Sequence, residues 1–431
     1  MSIPFRETTL VTIKRGYEKE VTEDLILRVA ENEDEGKKLA VFNALVHGEE
    51  LEDYILRLFN QHPDREKILW FYIAEKETGM ILSSLALLPM KWKMRDTEIN
   101  VAELGFVGTR KENRGQGLFG ILNDYYELAI KEHGYVLSVL VGIPNYYRKF
   151  GYIFALDRYA GYAIPTNNIP LDEIEEVKIR KATEDDLETI ETFYNQFNGK
   201  YVVSTAFDEP KFNFRLMNTT ADIFNSITYI VEQARKPQAF FCIGSLSDEN
   251  QADIILSSEL TYQQMLKVLQ FVKNYNMGNI NSFKVNVHPS SNFAQFLQSR
   301  GADLTETWTW QVKIPDILQF FHTITPVLED RIANSMFAGL NRIVKFSNYA
   351  DTIEMNFVDG KIETIDVVKE FPESTVDLRI PDPYYIRLFF SDRSVDDIKY
   401  IVTDTLVKKE SKLLIDTLFP TSPSIPFSYY E

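Results

Sequence analysis

The sequence holds one cysteine, Cys242, and five histidines in 431 residues. A single thiol excludes an intramolecular disulfide, and with histidines this scattered there is no metal-ligand cluster to read. Basic residues are the minority, 46 Lys and Arg against 63 Asp and Glu, for a formal charge of −17. A surface of that sign repels polyanions, which argues against a nucleic-acid partner and for a cationic one. Long apolar runs are missing too. The longest candidate, Met80 to Met90, carries two serines and falls short of the ~18 residues a membrane span needs. The opening MSIPFRETTL lacks a basic stretch followed by an apolar one. No secretory leader and no membrane partner are expected, and the reading is a cytoplasmic protein.

What is present suits large cores: 45% of the residues are hydrophobic and 13% aromatic. The length predicts about two to four domains. Ile68–Ala74, Ile81–Trp92 and Ile99–Thr109 read as three strands separated by Thr78-Gly79 and by Arg95-Asp96-Thr97. A loop rich in glycine and charge follows, from Arg110 to Gly117. Leu118, Leu122, Tyr125 and Ala129 then fall on one helical face, closed by His133-Gly134. Tyr135–Val141 reads as a buried strand.

A weak repeat comes next. Leu27 to Ala30 precedes Asp34 as Ile179 to Ala182 precedes Asp186, and Thr183 is placed to cap a helix in the second copy. That copy continues with strands at Ser226–Gln233, Phe240–Ser245 and Phe283–Val287 and a helix at Tyr262–Tyr275, without a glycine-rich turn before the helix. A third region begins near Trp310. Ile353, Met355 and Phe357 alternate as in a half-buried strand, Asp359-Gly360 marks a hairpin, and the chain returns from Ile362. Asp377–Ile380 reads as a strand, and Pro383–Phe390 and Val395–Val402 as short helices. The proline- and aromatic-rich tail, Phe419–Glu431, has the composition to pack on the body.

The chemistry lies between Glu103 and Gly120. A strand empties into a loop holding Arg114, Gly115 and Gly117, and a helix starts at once. Loop N–H groups and the helix N-terminus make an anion site, glycines let a ligand approach the backbone, and Arg114 adds charge-assisted hydrogen bonds. A pyrophosphate is the natural guest. No Gly-Lys-Ser/Thr follows, which excludes a Walker loop, and no acidic residue closes a second parallel strand as in a dinucleotide fold.

A second segment, Tyr147-Arg-Lys-Phe-Gly-Tyr152, follows the buried strand. With Val107-Gly108-Thr109 and Arg114-Gly-Gln-Gly-Leu118 it resembles the GCN5-related N-acetyltransferase (GNAT) superfamily, whose coenzyme A loop and late tyrosine motif have this order. Phe119 stands where that loop has a small residue. The full layout resembles the enhanced intracellular survival (Eis) family: Trp310 to Asp316 and Pro326 to Arg331 look like its bridge to a third domain, and Leu418 to Pro420 with Pro426 to Tyr430 look like its aromatic end.

The resemblance implies an α+β or α/β chain of three parts. A catalytic GNAT domain would span residues 1–165, a degenerate second one 166–309, and a sterol-carrier-like α+β domain 310–431. It implies acetyl-CoA as co-substrate, transfer of the acetyl group to a primary amine (a polyamine-like or aminoglycoside-like molecule, or lysine), and a homo-oligomer. The coenzyme would be held by Val107, Gly108, Thr109, Arg114, Gly115, Gln116, Gly117, Leu118, Phe119 and Gly120. Tyr147 would act as general acid, with Tyr146 as its neighbour and competitor. The terminal carboxylate, here Glu431, would act as base, with Glu103 as a second candidate beside its plainer reading as a salt-bridged strand residue. Cys242 reads as core and not as an acyl carrier, which favours direct transfer. The alternative is an acyl-CoA or lipid-binding carrier or regulatory protein without turnover.

Overall fold

The computed structural model describes residues 12–158, 161–172, 174–217, 224–244, 251–274, 280–305, 308–368 and 375–430. The chain separates into two compact units, residues 1–89 with 102–138, and residues 90–101 with 139–431.

The first unit carries β1 (Glu18–Glu20), β2 (Leu25–Val29), β3 (Leu69–Glu75) and most of β4 (Ile81–Met94) and β5 (Thr97–Thr109). These lie side by side in chain order, followed by β6 (Leu137–Leu140). Between β2 and β3 the chain forms a helical hairpin, α1 (Glu33–His47) and α2 (Leu51–Gln61). The Asn32 side chain caps α1 and Glu35 returns the bond to the Asn32 N–H, which satisfies two otherwise orphaned donors. Helix α2 buries Tyr54, Ile55, Leu58 and Phe59, one stripe at 3.6-residue spacing. The segment Ala30–Gln61 is therefore a pair of helices. Helix α3 (Leu118–Glu132) packs Leu118, Leu122, Tyr126 and Ala129 inward. Tyr126 Oη lies 2.7 Å from Ser138 Oγ and donates to the Ala102 carbonyl.

The second unit begins its own strands with β7 (Ile153–Arg158) and β8 (Tyr162–Pro165), then β9 (Val177–Lys181), α4 (Leu187–Asn198), β10 (Val203–Thr205) and α5 (Glu209–Phe212). It continues with β11 (Ser226–Gln233), β12 (Lys236–Gly244), β13 (Gln251–Ser257), α6 (Tyr262–Lys273), β14 (Ser282–Val285), α7 (Asn292–Ser299), β15 (Asp303–Leu304) and β16 (Trp308–Lys313). The ends expected at Ser245 and Tyr275 lie outside the described residues. One sheet runs β15-β8-β14-β13-β12-β11-β9, with β13 and β14 parallel. One face of it packs on α6 and α7 through Ile254, Phe283, Leu266 and Phe293. The other packs on α4 and α5 through Phe240, Cys242, Ile190 and Phe212. The segment expected to bridge to a third domain, Trp310 onward, begins in the strand β16, which pairs antiparallel with β7.

A third, five-stranded sheet closes the chain. Its elements are α8 (Ile317–Ala333), β17 (Arg342–Ser347), β18 (Thr352–Val358), β19 (Lys361–Val368), β20 (Leu378–Arg379), α9 (Tyr385–Phe389), α10 (Val395–Ile401), β21 (Leu406–Val407) and α11 (Lys412–Leu418). The strand order is β19-β18-β17-β20-β21. The alternation of Ile353, Met355 and Phe357 and the Asp359-Gly360 hairpin stand as the sequence indicates. The three mixed sheets make the α+β architecture expected. Among the described residues no helix is long and apolar enough to cross a membrane, and no group of side chains could hold a metal ion.

Candidate active site

In the first unit the expected coenzyme residues run from the end of one strand to the first turn of a helix. Val107, Gly108 and Thr109 end β5, Lys111–Asn113 make a single 3-10 turn, and α3 starts at Leu118. Arg110 fastens the turn from below: its N–H donates to the Leu82 carbonyl at 2.9 Å and its Nε to the Ile81 carbonyl at 2.6 Å. Ser83 Oγ donates to the Gly108 carbonyl at 2.9 Å and lies 2.8 Å from Thr109 Oγ1. Arg114, Gly115, Gln116 and Gly117 are exposed, while Leu118 and Phe119 are buried. Phe119, the departure from the small residue of related loops, thus points its bulk into the core.

Gly115 and Gly117 have φ of +80° and +79°, and a Cβ at either would meet nothing within 4 Å. The conformation demands glycine, and the space over the loop is open. Gly117 is the N-cap of α3, and no side chain caps that end. The helix N-terminus therefore presents backbone donors and the positive end of its dipole. A diphosphate fits this donor set, with Arg114 beside it; Arg114 Nε reaches back to the Thr109 carbonyl at 3.4 Å.

Phe106 was not singled out by the sequence. Its φ is 49°, a left-handed backbone in the middle of a strand, which costs an aromatic residue about 1–3 kcal/mol. Its ring stacks on Trp70 with centroids 5.3 Å apart and lies 6.5 Å from Tyr54, and such ring pairs return about 0.5–1.5 kcal/mol each. The kink breaks the pleat immediately before Val107. An aromatic inside an apolar strand carries no turn signal, so the sequence had nothing to announce it. Glu103 is buried in the same strand.

Tyr147 belongs to the second unit. It opens a 3-10 turn, Tyr147–Phe150, that Gly151 ends at φ 88°. The Tyr147 ring meets Tyr146 edge-on at 5.1 Å and Tyr152 at 6.2 Å. Gly142 makes room for it, since a Cβ there would sit 2.7 Å from the ring. Tyr147 is buried and Tyr146 only half so, with Lys149 Nζ 4.1 Å from the Tyr146 ring centre. Burial, and then the neighbouring Tyr146, raise the Tyr147 phenol well above its ordinary value, so it holds its proton at neutral pH.

The aromatic end of the chain is also in the second unit and is firmly placed. Val202 and Ile425 exchange backbone bonds with Pro423 and Val203. Thr205 Oγ1 donates to the Phe427 carbonyl at 2.6 Å, and the Phe427 N–H donates to Thr205 Oγ1 at 2.8 Å. Tyr429 and Tyr430 are buried. Glu431, the expected base, lies outside the described residues. Cys242 is buried against Thr228 Oγ1 at 3.1 Å, and burial pushes its thiol up to about 12. It is a core residue, as its sequence surroundings indicate.

Residues 27–155 match the acetyltransferase (GNAT) domain. The chain therefore carries an acyltransferase domain of that type, a class that uses acetyl-CoA as co-substrate. No curated protein matches the chain. Among solved structures it is similar to a conserved protein of unknown function from Enterococcus faecalis, described as a probable N-acyltransferase. Identity is 14%, the TM-score 0.72, and coverage 94% of this chain and 99% of that one. A GCN5-related N-acetyltransferase from Anabaena variabilis gives 16% identity, TM-score 0.69 and coverage of 93% and 99%. Eis1 from Mycobacterium abscessus gives 11%, 0.61, and 94% and 99%. At identities this low the TM-scores and coverage show a shared fold, over nearly the whole length.

Proposed function

We propose that the chain transfers an acetyl group from acetyl-CoA directly to a primary amine. The observation that carries this reading is the loop Arg114–Gly117 leading into α3: two left-handed glycines, open space above them and a helix end that no side chain caps. Bound acetyl-CoA supplies an activated thioester. Arg114 and the N–H groups from Gly115 to Gly120, with Gln116, Leu118 and Phe119 among them, bind the diphosphate. Val107, Gly108 and Thr109, just past the kink at Phe106, orient the rest of the coenzyme through their backbone groups.

Tyr147 holds a proton on Oη and delivers it to the departing sulfur. Its raised pKa keeps the proton on Oη at neutral pH, and the transfer to a sulfur of ordinary thiol pKa ~8.5 is concerted with cleavage of the carbon–sulfur bond. Glu431 takes the proton of the incoming amine, and the anchored tail through Tyr430 supports that role. Cys242, buried and with a high pKa, is unsuited to carry an acyl group, which supports direct transfer. The net charge of −17 favours a polycationic small molecule or a lysine side chain as acceptor.

The division into 1–165, 166–309 and 310–431 belongs to the same proposal, as do the sterol-carrier-like character of the last part and a homo-oligomer. Three sheets support it, with β8 joining the second sheet ahead of the expected boundary. One place for a carried lipid in the last part is too small. The cavity lined by Phe346, Leu378, Tyr385 and Phe389 in the last sheet has a volume of about 10 Å³, room for one water and not for an acyl chain.

The test is release of free thiol from acetyl-CoA in the presence of spermidine, an aminoglycoside or a lysine peptide. Amine-dependent release supports the proposal. Failure of coenzyme A to bind at all, read by thermal shift, removes its basis.

A further inference from the structure

The second unit contains a cavity of about 410 Å³ that the proposed chemistry does not use. It lies on the face of the seven-stranded sheet that looks toward the chain's end, and Ile255, Leu256 and Phe427 give it an apolar side. Its polar side comes from the parallel strands. Asp253 on β13 is the register partner of Lys284 on β14, and Asn286 lies two residues further on, on the same side as Lys284. All three line the cavity, as do Arg158 and Arg215.

Lys284 and Asn286 have capacity left for a ligand. Among the described residues Lys284 makes no ion pair. Asn286 Oδ1 is buried without a hydrogen-bond partner, a state that costs about 1–3 kcal/mol unless something donates to it. The two arginines are held in place. Arg215, 6% exposed, donates to the Phe224 carbonyl at 2.7 Å and to Ser226 Oγ at 3.2 Å. The Arg158 guanidinium lies 5.5 Å from the Trp310 ring centre. Counting Asp157, the lining carries three cations and two carboxylates, so one negative charge brings it to neutrality. A dianion would bury a charge without a partner.

We propose that this cavity binds a small hydroxylated monocarboxylate, with its carboxylate on Lys284 and a hydroxyl donating to Asn286 Oδ1. Its carbon skeleton rests on Ile255 and Phe427. The volume falls in the ~300–1,000 Å³ range of small-molecule sites. The cavity shares no residue with the coenzyme loop, and the proposal stands whether or not the chain transfers acetyl groups.

Trp310 reports occupancy, because its indole N–H donates to the carbonyl of Pro426, next to Phe427. The probes are quinate and gluconate, compared with cyclohexanecarboxylate and hexanoate, which keep the carboxylate and lose the hydroxyls. Binding to the full chain is followed by tryptophan fluorescence and by calorimetry, with no acetyl donor present. The expected result is saturable binding of at least one hydroxylated probe and about tenfold weaker binding of its counterpart. Lys284→Gln should weaken both kinds of probe about tenfold at an unchanged melting temperature. Asn286→Ala should abolish the preference for hydroxyls and keep the weaker binding. The proposal is overturned if neither hydroxylated probe saturates, leaving the cavity to water. It is equally overturned if folded Lys284→Gln binds as wild type, or if coenzyme A displaces the probe.

Discussion

Trp310 donates its indole N–H to the Pro426 carbonyl at 3.0 Å, across 116 residues of chain. Trp310 is fully buried on β16 and its ring meets Trp92 edge-on at 5.5 Å. Pro426 has no N–H of its own, so its carbonyl is the one backbone group by which that residue can be tied. Together with the paired bonds between Thr205 and Phe427, this contact fixes the course of the chain's end. Trp310→Phe keeps most of the ring packing and orphans the Pro426 carbonyl. The expected cost is about 1–3 kcal/mol, read as a lower midpoint in urea at an unchanged slope.

The tail is anchored as far as Tyr430, so a change at Glu431 should act on chemistry more than on folding. Deleting Glu431, or extending the chain with a C-terminal tag, should lower kcat about 10²-fold, the lower end of what a general base contributes. The melting temperature should hold. Undiminished turnover in both variants would remove the terminal carboxylate from the mechanism.

Tyr147→Phe removes one oxygen from a ring held by Gly142, Tyr146 and Tyr152, so packing persists. Thiol release should slow by about 10²-fold in kcat, with KM for acetyl-CoA little changed, since a proton donor acts in the transition state. Tyr146→Phe should leave kcat near wild type. The reverse pattern would assign the proton to Tyr146.

Much of this was legible in the sequence, and the exceptions have physical causes. Leu118, Leu122 and Ala129 announce α3 because one face of that helix is buried and the other is not. The helix α1 escaped because Val41 and Leu45 are 55% and 61% exposed, which spreads its apolar residues around the cylinder. Helix α2 carried a readable stripe, Leu51, Tyr54, Ile55, Leu58 and Phe59, and its spacing could have found it. Strand β16 pairs with β7, some 150 residues earlier, and long-range pairing leaves no local mark. The kink at Phe106 is equally silent: tertiary packing against Trp70 imposes a conformation that the residue itself disfavours. The loop and the Tyr147 motif were readable because left-handed turns need glycine wherever they occur.

Gly117→Val places a branched residue at φ +79°, where L side chains are strained, and puts its methyls into the open space above the loop. Coenzyme A binding should fall by about 10²-fold or more, with a stability loss of about 1–3 kcal/mol. Arg114→Ala should weaken coenzyme A about tenfold, the worth of one charge-assisted hydrogen bond, and should shrink the effect of added salt on binding. Calorimetric titration with coenzyme A reads both, and an Arg114→Ala variant with wild-type affinity and salt dependence would take that residue out of the site.

His288 makes the fold sensitive to mild acid. It is buried, its Nδ1 accepts from the Ser290 N–H at 3.1 Å, and its ring lies 5.5 Å from Tyr201. Burial lowers its pKa to about 4, with Asp157 pulling the other way. The folded value lies below the ~6.5 of an unfolded histidine, so the unfolded chain binds the extra proton first. The stability His288 contributes is therefore complete above about pH 6.5 and drains away as pH falls toward 4. A difference of this size corresponds to roughly 3 kcal/mol at full effect. His288→Gln removes the titration: urea midpoints of wild type and variant should converge as the pH falls from 7 to 4.5. Parallel pH profiles for the two proteins would show that His288 titrates alike in the folded and unfolded chains, against the lowered value.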